Sequence, residues 1–183
     1  MHKIFYWSPF TTSKIATVKA VINSAESLNK FFKKDHFEIS IIDAVHEWKD
    51  FEDEIKEKKI ELIYLNNDSF FNSFKKDGFV RSRFAYLYIF FKSFFPLIKI
   101  LKEKKPDYLI IHLITSLPLF LFTFKNFQSK LILRISGLPK MTFFRKFLWK
   151  LAVKNIYKIT CPTLATYKNL SKFEFLKEKL CVL

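Results

Sequence analysis

Glycine is nearly missing from this chain: there are two in 183 residues, Gly78 and Gly137. That excludes both glycine-rich phosphate cradles, Gly-x-Gly-x-x-Gly and the Walker lysine loop. Each needs backbone to approach a phosphate with no Cβ in the way. Dinucleotide-dependent dehydrogenases and P-loop NTPases drop out with them. No serine sits between glycines at the spacing of a nucleophile elbow. Cysteine is as scarce, with only Cys161 and Cys181. Two cysteines so placed make no disulfide framework and no metal-ligand spacing, so a reducing compartment is expected. His2, His36, His46 and His112 are scattered, so no metal and no cofactor is expected.

Carboxylates are missing from one long stretch. Residues 108–173 hold no Asp or Glu but 11 Lys and Arg, within a chain whose formal net charge is +15. Such a surface creates a positive field and attracts anions. Candidates are phospholipid headgroups, a polyprenyl pyrophosphate, a nucleotide or nucleic acid. Solubility and composition bias explain the same pattern without a ligand. No RNA- or DNA-binding motif accompanies the charge, so nucleic acid is not expected as a partner.

An unbroken apolar span of about 20 residues is also lacking. Residues 84–101 contain Lys92, Pro96 and Lys99, and residues 108–124 contain His112, Ser116 and Pro118. Both are expected to be buried or interfacial segments. The opening Met-His-Lys-Ile-Phe-Tyr-Trp reads directly as a strand, with no signal-peptide layout. A cytoplasmic location follows, with peripheral contact at the inner face of a membrane as a further expectation.

What the chain does have is hydrophobic residues, 50% of the total, with 24 Phe. Apolar runs at 3–7, 37–44, 60–65, 108–113, 130–135 and 157–161 read as six buried strands. Helical periodicity lies between them at 15–32, 47–59, 81–105, 116–124, 142–154 and 163–172; residues 66–78 read as a loop. Strands that are apolar throughout, alternating with helices, predict a doubly wound, Rossmann-like, mostly parallel sheet with helices on both faces. The whole of 1–183 reads as one such domain. Ligands of these sheets bind beyond the carboxyl ends of the strands.

Four segments together resemble the N-terminal, acceptor-side domain of the family-4-type glycosyltransferases, which have the GT-B fold. They are the opening strand, loop and helix from Lys3 through Ala20; Pro106-Asp107-Tyr-Leu-Ile-Ile-His112; Leu131-Ile-Leu-Arg-Ile-Ser-Gly137-Leu-Pro-Lys140; and Ile159-Thr-Cys-Pro-Thr163. The resemblance implies two Rossmann-like domains facing a cleft, with the nucleotide sugar gripped mainly by the C-terminal one. This sequence stops about where the crossover to that domain begins. The donor-binding domain is therefore expected to be missing or separate, and the 183 residues alone to be inactive. The implied partners are a nucleotide sugar and a surface-polysaccharide or lipid-linked acceptor. Many family members have paired glycines after the first strand. Here the loop reads Ser8-Pro9-Phe10-Thr11-Thr12, where hydroxyls would have to supply the hydrogen bonds.

Site candidates follow from strand ends. His112 closes the fourth strand, where the family often has a histidine that contacts acceptor or reacting sugar. Its alternative is a core histidine bonded to backbone. Ser8, Thr11 and Thr12 either line the cleft or cap the following helix. Ser136, Gly137 and Lys140 follow the fifth strand, Gly137 marking a turn or a close ligand approach. A carboxylate base from this chain would have to come from outside the carboxylate-free stretch, for example from Asp43 or Glu47 after the second strand. Arg145, Lys146, Lys150 and Lys154 flank an apolar face formed by Phe144, Phe147, Leu148 and Leu151. That helix suits an anionic membrane surface, though its apolar face is expected to pack in the core. The aromatic arc on residues 81–105 is wider than one sheet needs, so part of it is expected to meet membrane or a partner. A non-enzymatic module that binds anionic lipid or glycan is the alternative to an enzyme.

Overall fold

Backbone alternation explains the first strand and, through it, the whole architecture. In β1 (His2–Trp7) the side chains of Ile4 and Tyr6 enter one core and those of Phe5 and Trp7 enter the other. From Ile4 to Trp7 the strand is buried on both faces and every position is apolar, which is why this run shows no polar alternation. The computed structural model describes residues 2–11, 15–31, 37–66 and 79–183. Thr12, and the expected loop from residue 67 to 78, lie outside the described residues.

Among the described residues seven strands form a single sheet, one more than expected. They are β1, β2 (Phe37–Asp43), β3 (Glu61–Tyr64), β4 (Tyr108–Ile111), β5 (Lys130–Arg134), β6 (Ile156–Cys161) and β7 (Leu180–Val182). Their order is β3-β2-β1-β4-β5-β6-β7, and every pairing is parallel. Right-handed crossovers fix where the helices go. Moving from β1 toward β3 puts α1 (Ile15–Phe31) and α2 (Glu52–Glu57) on one face. Val18, Val21, Ile22 and Ala25 of α1 and Ile55 of α2 pack there with Ile4, Tyr6, Ile39 and Ile41. Returning through β4 to β7 puts α3 (Phe79–Lys104), α4 (Ser116–Phe124), α5 (Phe143–Ala152) and α6 (Leu164–Leu170) on the other. Ala85, Leu97, Leu117, Trp149 and Leu170 of these helices share the second core with Leu109, Leu131 and Ile159. The α1 face is thus covered over β1 to β4, and the sheet steps down to a thinner layer over β5 to β7.

Two helices differ from expectation in instructive ways. The charged segment at 47–59 begins as a 3-10 turn, Lys49–Phe51, and becomes α-helical only at Glu52. The side chain of Glu47 has folded back onto the preceding turn, and His46 has φ 65°, so no helix can start there. In α5 the expected core face is largely exposed: Phe144 is 81% and Phe147 56% exposed. Trp149 and Ala152 are its buried residues instead. Leu148 of the expected face packs half-buried against the same core.

Helix α3 is long and apolar enough, over Arg83–Lys104, to cross a membrane by length and composition, contrary to expectation. Its inner side is seated on the sheet core through Ala85, Ile89, Leu97 and Leu101. Its outer side carries an exposed stripe, Phe84, Leu87, Phe91 and Phe95. Pro96 lies inside this helix and has no N–H to give the carbonyl of Lys92. The Asn66 amide, which also donates to Ala44 O at 2.8 Å, lies 3.4 Å from that carbonyl.

Candidate functional site

The register carries one level of side chains across the carboxyl end of the sheet. Asp43 pairs with Tyr64, Arg134 with Thr160, and Thr160 with Cys181. One residue beyond the pairs Trp7–Ile42, Trp7–Ile111 and Ile111–Leu133 come Ser8, Asp43, His112 and Arg134. In a parallel sheet, side chains at one level point to one face. The row Tyr64–Asp43–Ser8–His112–Arg134–Thr160–Cys181 is therefore polar or polarisable throughout, directly above levels that are mostly aliphatic. It lies at the strand ends where such sheets hold their ligands.

An open cleft of about 270 Å³ occupies the step beside α1. Ala16 and Ala20 of α1 form one wall; His112, Arg134 and Ser136 form the floor and rim; Pro162 and Leu183 close the far side. His112 is 7% exposed. Its backbone N–H donates to Trp7 O at 3.0 Å, and its Nδ1 lies 3.5 Å from the Ser8 hydroxyl, itself buried. Trp7 Nε1 donates to Ile114 O at 3.1 Å, so the turn after β4 is pinned from beneath. Burial, followed by the positive charge of Arg134, lowers the His112 pKa from 6.5 to about 4. The imidazole is therefore neutral near pH 7.

The expected candidates separate into three groups. His112 and Ser136 line the cleft, and Ser8 stands behind His112. Among the described residues, the Ser8 side chain makes its contact with the imidazole. Thr11 is half-buried, and Gly137 and Lys140 are exposed; none of the three lines the cleft. Gly137 has no left-handed φ, and a Cβ added to it would meet nothing within 4 Å. The chain bends at Ser136–Gly137, and the fold itself sets no steric demand for glycine there. The loop after β1 turns inward: Phe10 is buried, edge-on to Trp48 with ring centroids 5.1 Å apart.

Asp43 and Glu47, the sequence's source of a carboxylate base, serve structure instead. Asp43 is fully buried and Glu47 nearly so. The Glu47 carboxyl accepts the N–H groups of Ala44 (3.2 Å) and Val45 (2.7 Å), while Asp43 Oδ1 accepts the N–H of Glu47 (3.1 Å). Burial and the adjacent Asp43 hold the Glu47 carboxyl well above its usual range. Asp43 Oδ2 is buried with no hydrogen-bond partner among the described residues. Asp107 of the Pro-Asp signature sits at the opposite, amino end of the sheet and accepts the Lys3 N–H at 2.7 Å.

Arg134 is the cleft residue that pattern reading passed over. A signal for it existed: one charge inside the apolar run Leu131–Ile135. Of the four basic residues on and after α5, Arg145 is committed locally, donating to Lys140 O at 2.7 Å. Lys146 lies over the Phe173 ring at 5.5 Å, and Lys150 and Lys154 are exposed.

Seven parallel strands in this order, with helices on both sides, define a Rossmann-like α/β layer. Its likeness to solved proteins is to GT-B-type folds. The UDP-GlcNAc 2-epimerase from Neisseria meningitidis, solved with UDP-GlcNAc, matches over 100% of this chain and 46% of its own, at 14% identity and TM-score 0.64. A Listeria monocytogenes protein described as a UDP-N-acetylglucosamine 2-epimerase matches 98% of this chain and 45% of its own, at 16% identity and TM-score 0.64. The calicheamicin glycosyltransferase matches 97% and 44%, at 11% identity and TM-score 0.50. The chain thus spans under half the length of these proteins. No protein-family model and no curated protein sequence matches it.

Proposed function

We propose that the chain is the acceptor-side half of a GT-B enzyme acting on a nucleotide sugar, and that its reaction is glycosyl transfer to a surface-polysaccharide or lipid-linked acceptor. The observation that carries this reading is the cleft itself: one neutral imidazole, one guanidinium and, among the described lining residues, no acidic side chain. Glycosyl transfer asks this wall to hold and orient an acceptor hydroxyl. A neutral imidazole with a pKa of about 4 does that by hydrogen bonding, and is a weak base for proton removal. Epimerisation asks for more, since a proton must leave a carbon and return to its other face. A wall with one weak base favours transfer. The donor nucleotide sugar is expected to bind mainly a second domain, and no further cofactor is required.

The test is an extract of cells expressing the chain, incubated with radiolabelled UDP-GlcNAc and membrane lipids. Label is expected in the lipid or polysaccharide fraction, and is expected to fall at least tenfold with His112→Ala, as for loss of one hydrogen bond to a reacting group. The purified 183-residue chain by itself is expected to transfer little or nothing. Epimerised nucleotide sugar with no transfer would overturn the reading in favour of the neighbours' chemistry.

A second reading has its own observation. The outer stripe of α3 continues through aromatic contacts, Phe90 to Phe120 at 6.0 Å and Phe120 to Phe124 at 4.8 Å, onto α4. Beyond α4, helix α5 exposes Phe143, Phe144 and Phe147 beside Lys150 and Lys154. Exposed rings edged by cations, in a stretch with no carboxylate, suit an anionic bilayer surface. Sedimentation with phosphatidylglycerol vesicles is expected to carry the chain down, and neutral vesicles to carry less. Replacing Phe144 and Phe147 with serine is expected to weaken partition by about tenfold per ring. Equal sedimentation of the variant would refute bilayer contact through α5.

A further inference from the structure

We infer that the step between α1 and β5 is a binding site for a phosphate or diphosphate group, held by the Arg134 guanidinium. This deepens the acceptor reading by naming a charged group of the substrate, and it rests on that reading only for which molecule carries the group. Arg134 ends β5 on the α1 side of the sheet and is half-buried in the cleft floor. A guanidinium cannot lose its charge as a buried lysine can. Among the described residues nothing hydrogen-bonds to it or forms an ion pair with it. No acidic side chain lines the cleft among the described residues. The surrounding wall is alanine methyls, Ile135, Pro162, Leu183 and a neutral imidazole. A permanent charge against such a wall is unfavourable alone and favours an anion beside it.

The arrangement of donors selects the class of anion. The guanidinium fork offers two parallel N–H groups to two oxygens. The Ser136 hydroxyl lies on the same rim. With donors from two residues, the rim matches a tetrahedral phosphate better than a flat carboxylate. A volume of about 270 Å³ falls just under the span of whole small-molecule sites, about 300–1,000 Å³. The cleft takes the charged group and leaves the rest of the molecule outside.

Calorimetric titration of the purified chain with inorganic pyrophosphate at low salt tests this. Binding is expected for the wild type and for Lys104→Gln, a charge change at the far end of the sheet. Arg134→Gln is expected to weaken binding at least about tenfold, and Arg134→Lys, which keeps charge but loses the fork, by less. The ligand-free melting temperature of Arg134→Gln is expected to stay level or rise, because an unpaired charge has been removed. Competition then separates two sources of the group. Stronger competition by farnesyl pyrophosphate than by UDP assigns a lipid-linked substrate, and the reverse assigns a nucleotide. No pyrophosphate binding by the wild type, equal binding by Arg134→Gln, or a marked loss of melting temperature in that variant would each overturn the proposal. These readouts need no sugar transfer, so they stand or fall separately from the transfer assay.

Discussion

Glu47→Ala is expected to destabilise the chain by about 3 kcal/mol, read from urea or thermal unfolding at pH 7. The substitution removes a carboxyl that satisfies two buried backbone N–H groups, those of Ala44 and Val45, at 3.2 and 2.7 Å. An unsatisfied buried polar group costs about 1–3 kcal/mol, and here two are orphaned together with Asp43. Glu47→Gln keeps one acceptor and one donor and is expected to cost about 1 kcal/mol or less. The pH dependence follows from the raised pKa of Glu47. An acid whose folded pKa exceeds its unfolded value contributes fully below the unfolded value, 4.5, and less as pH rises through the folded one. Glu47→Gln is expected to abolish that alkaline loss. An alanine variant as stable as wild type would mean that the turn after β2 does not depend on this side chain.

Acidification is expected to cost about 3 kcal/mol through His112 alone. Its folded pKa of about 4 lies below the unfolded value of 6.5. As pH falls, the unfolded chain takes up the proton first, so stability present above pH 6.5 is lost progressively down to about pH 4. His112→Gln is expected to flatten this part of the stability curve while keeping a polar side chain beside Ser8. The slopes of Glu47 and His112 oppose each other as pH rises above 4.5, so each is read as the difference between wild type and its own variant. A histidine resonance titrating near 6.5, assigned to His112 by NMR, would contradict the burial that sets its pKa.

Most of the sheet was legible because burial on both faces forces continuous apolar runs, and six strands were found that way. Helix α4 was read at Ser116–Phe124, its observed bounds. The seventh strand was not legible: Leu180–Val182 is three residues long and follows a 3-10 segment, too short for any period. Helix α3 shows a different limit. Apolar residues occupy most of its circumference, so composition could not say that Ala85, Ile89, Leu97 and Leu101 face inward while Phe84, Phe91 and Phe95 face out. At the site, His112 was legible as a strand end. Arg134 was not, because its meaning depends on register: only pairing across β1, β4 and β5 places it beside His112.

The order of the strands in the sheet also bears on how the chain folds as it is made. Of the seven strands, the one synthesised first, β1, lies inside the sheet, third from one edge. β2 and then β3 extend one edge, and β4 through β7 extend the other, each beside a strand already present. No strand waits for a partner made later, and no finished hairpin has to open to admit one. Parallel sheets pair over long sequence separations and form slowly in isolation. Growth outward from β1 lets each crossover close against an existing edge, so vectorial emergence from the ribosome and the final topology run in the same direction.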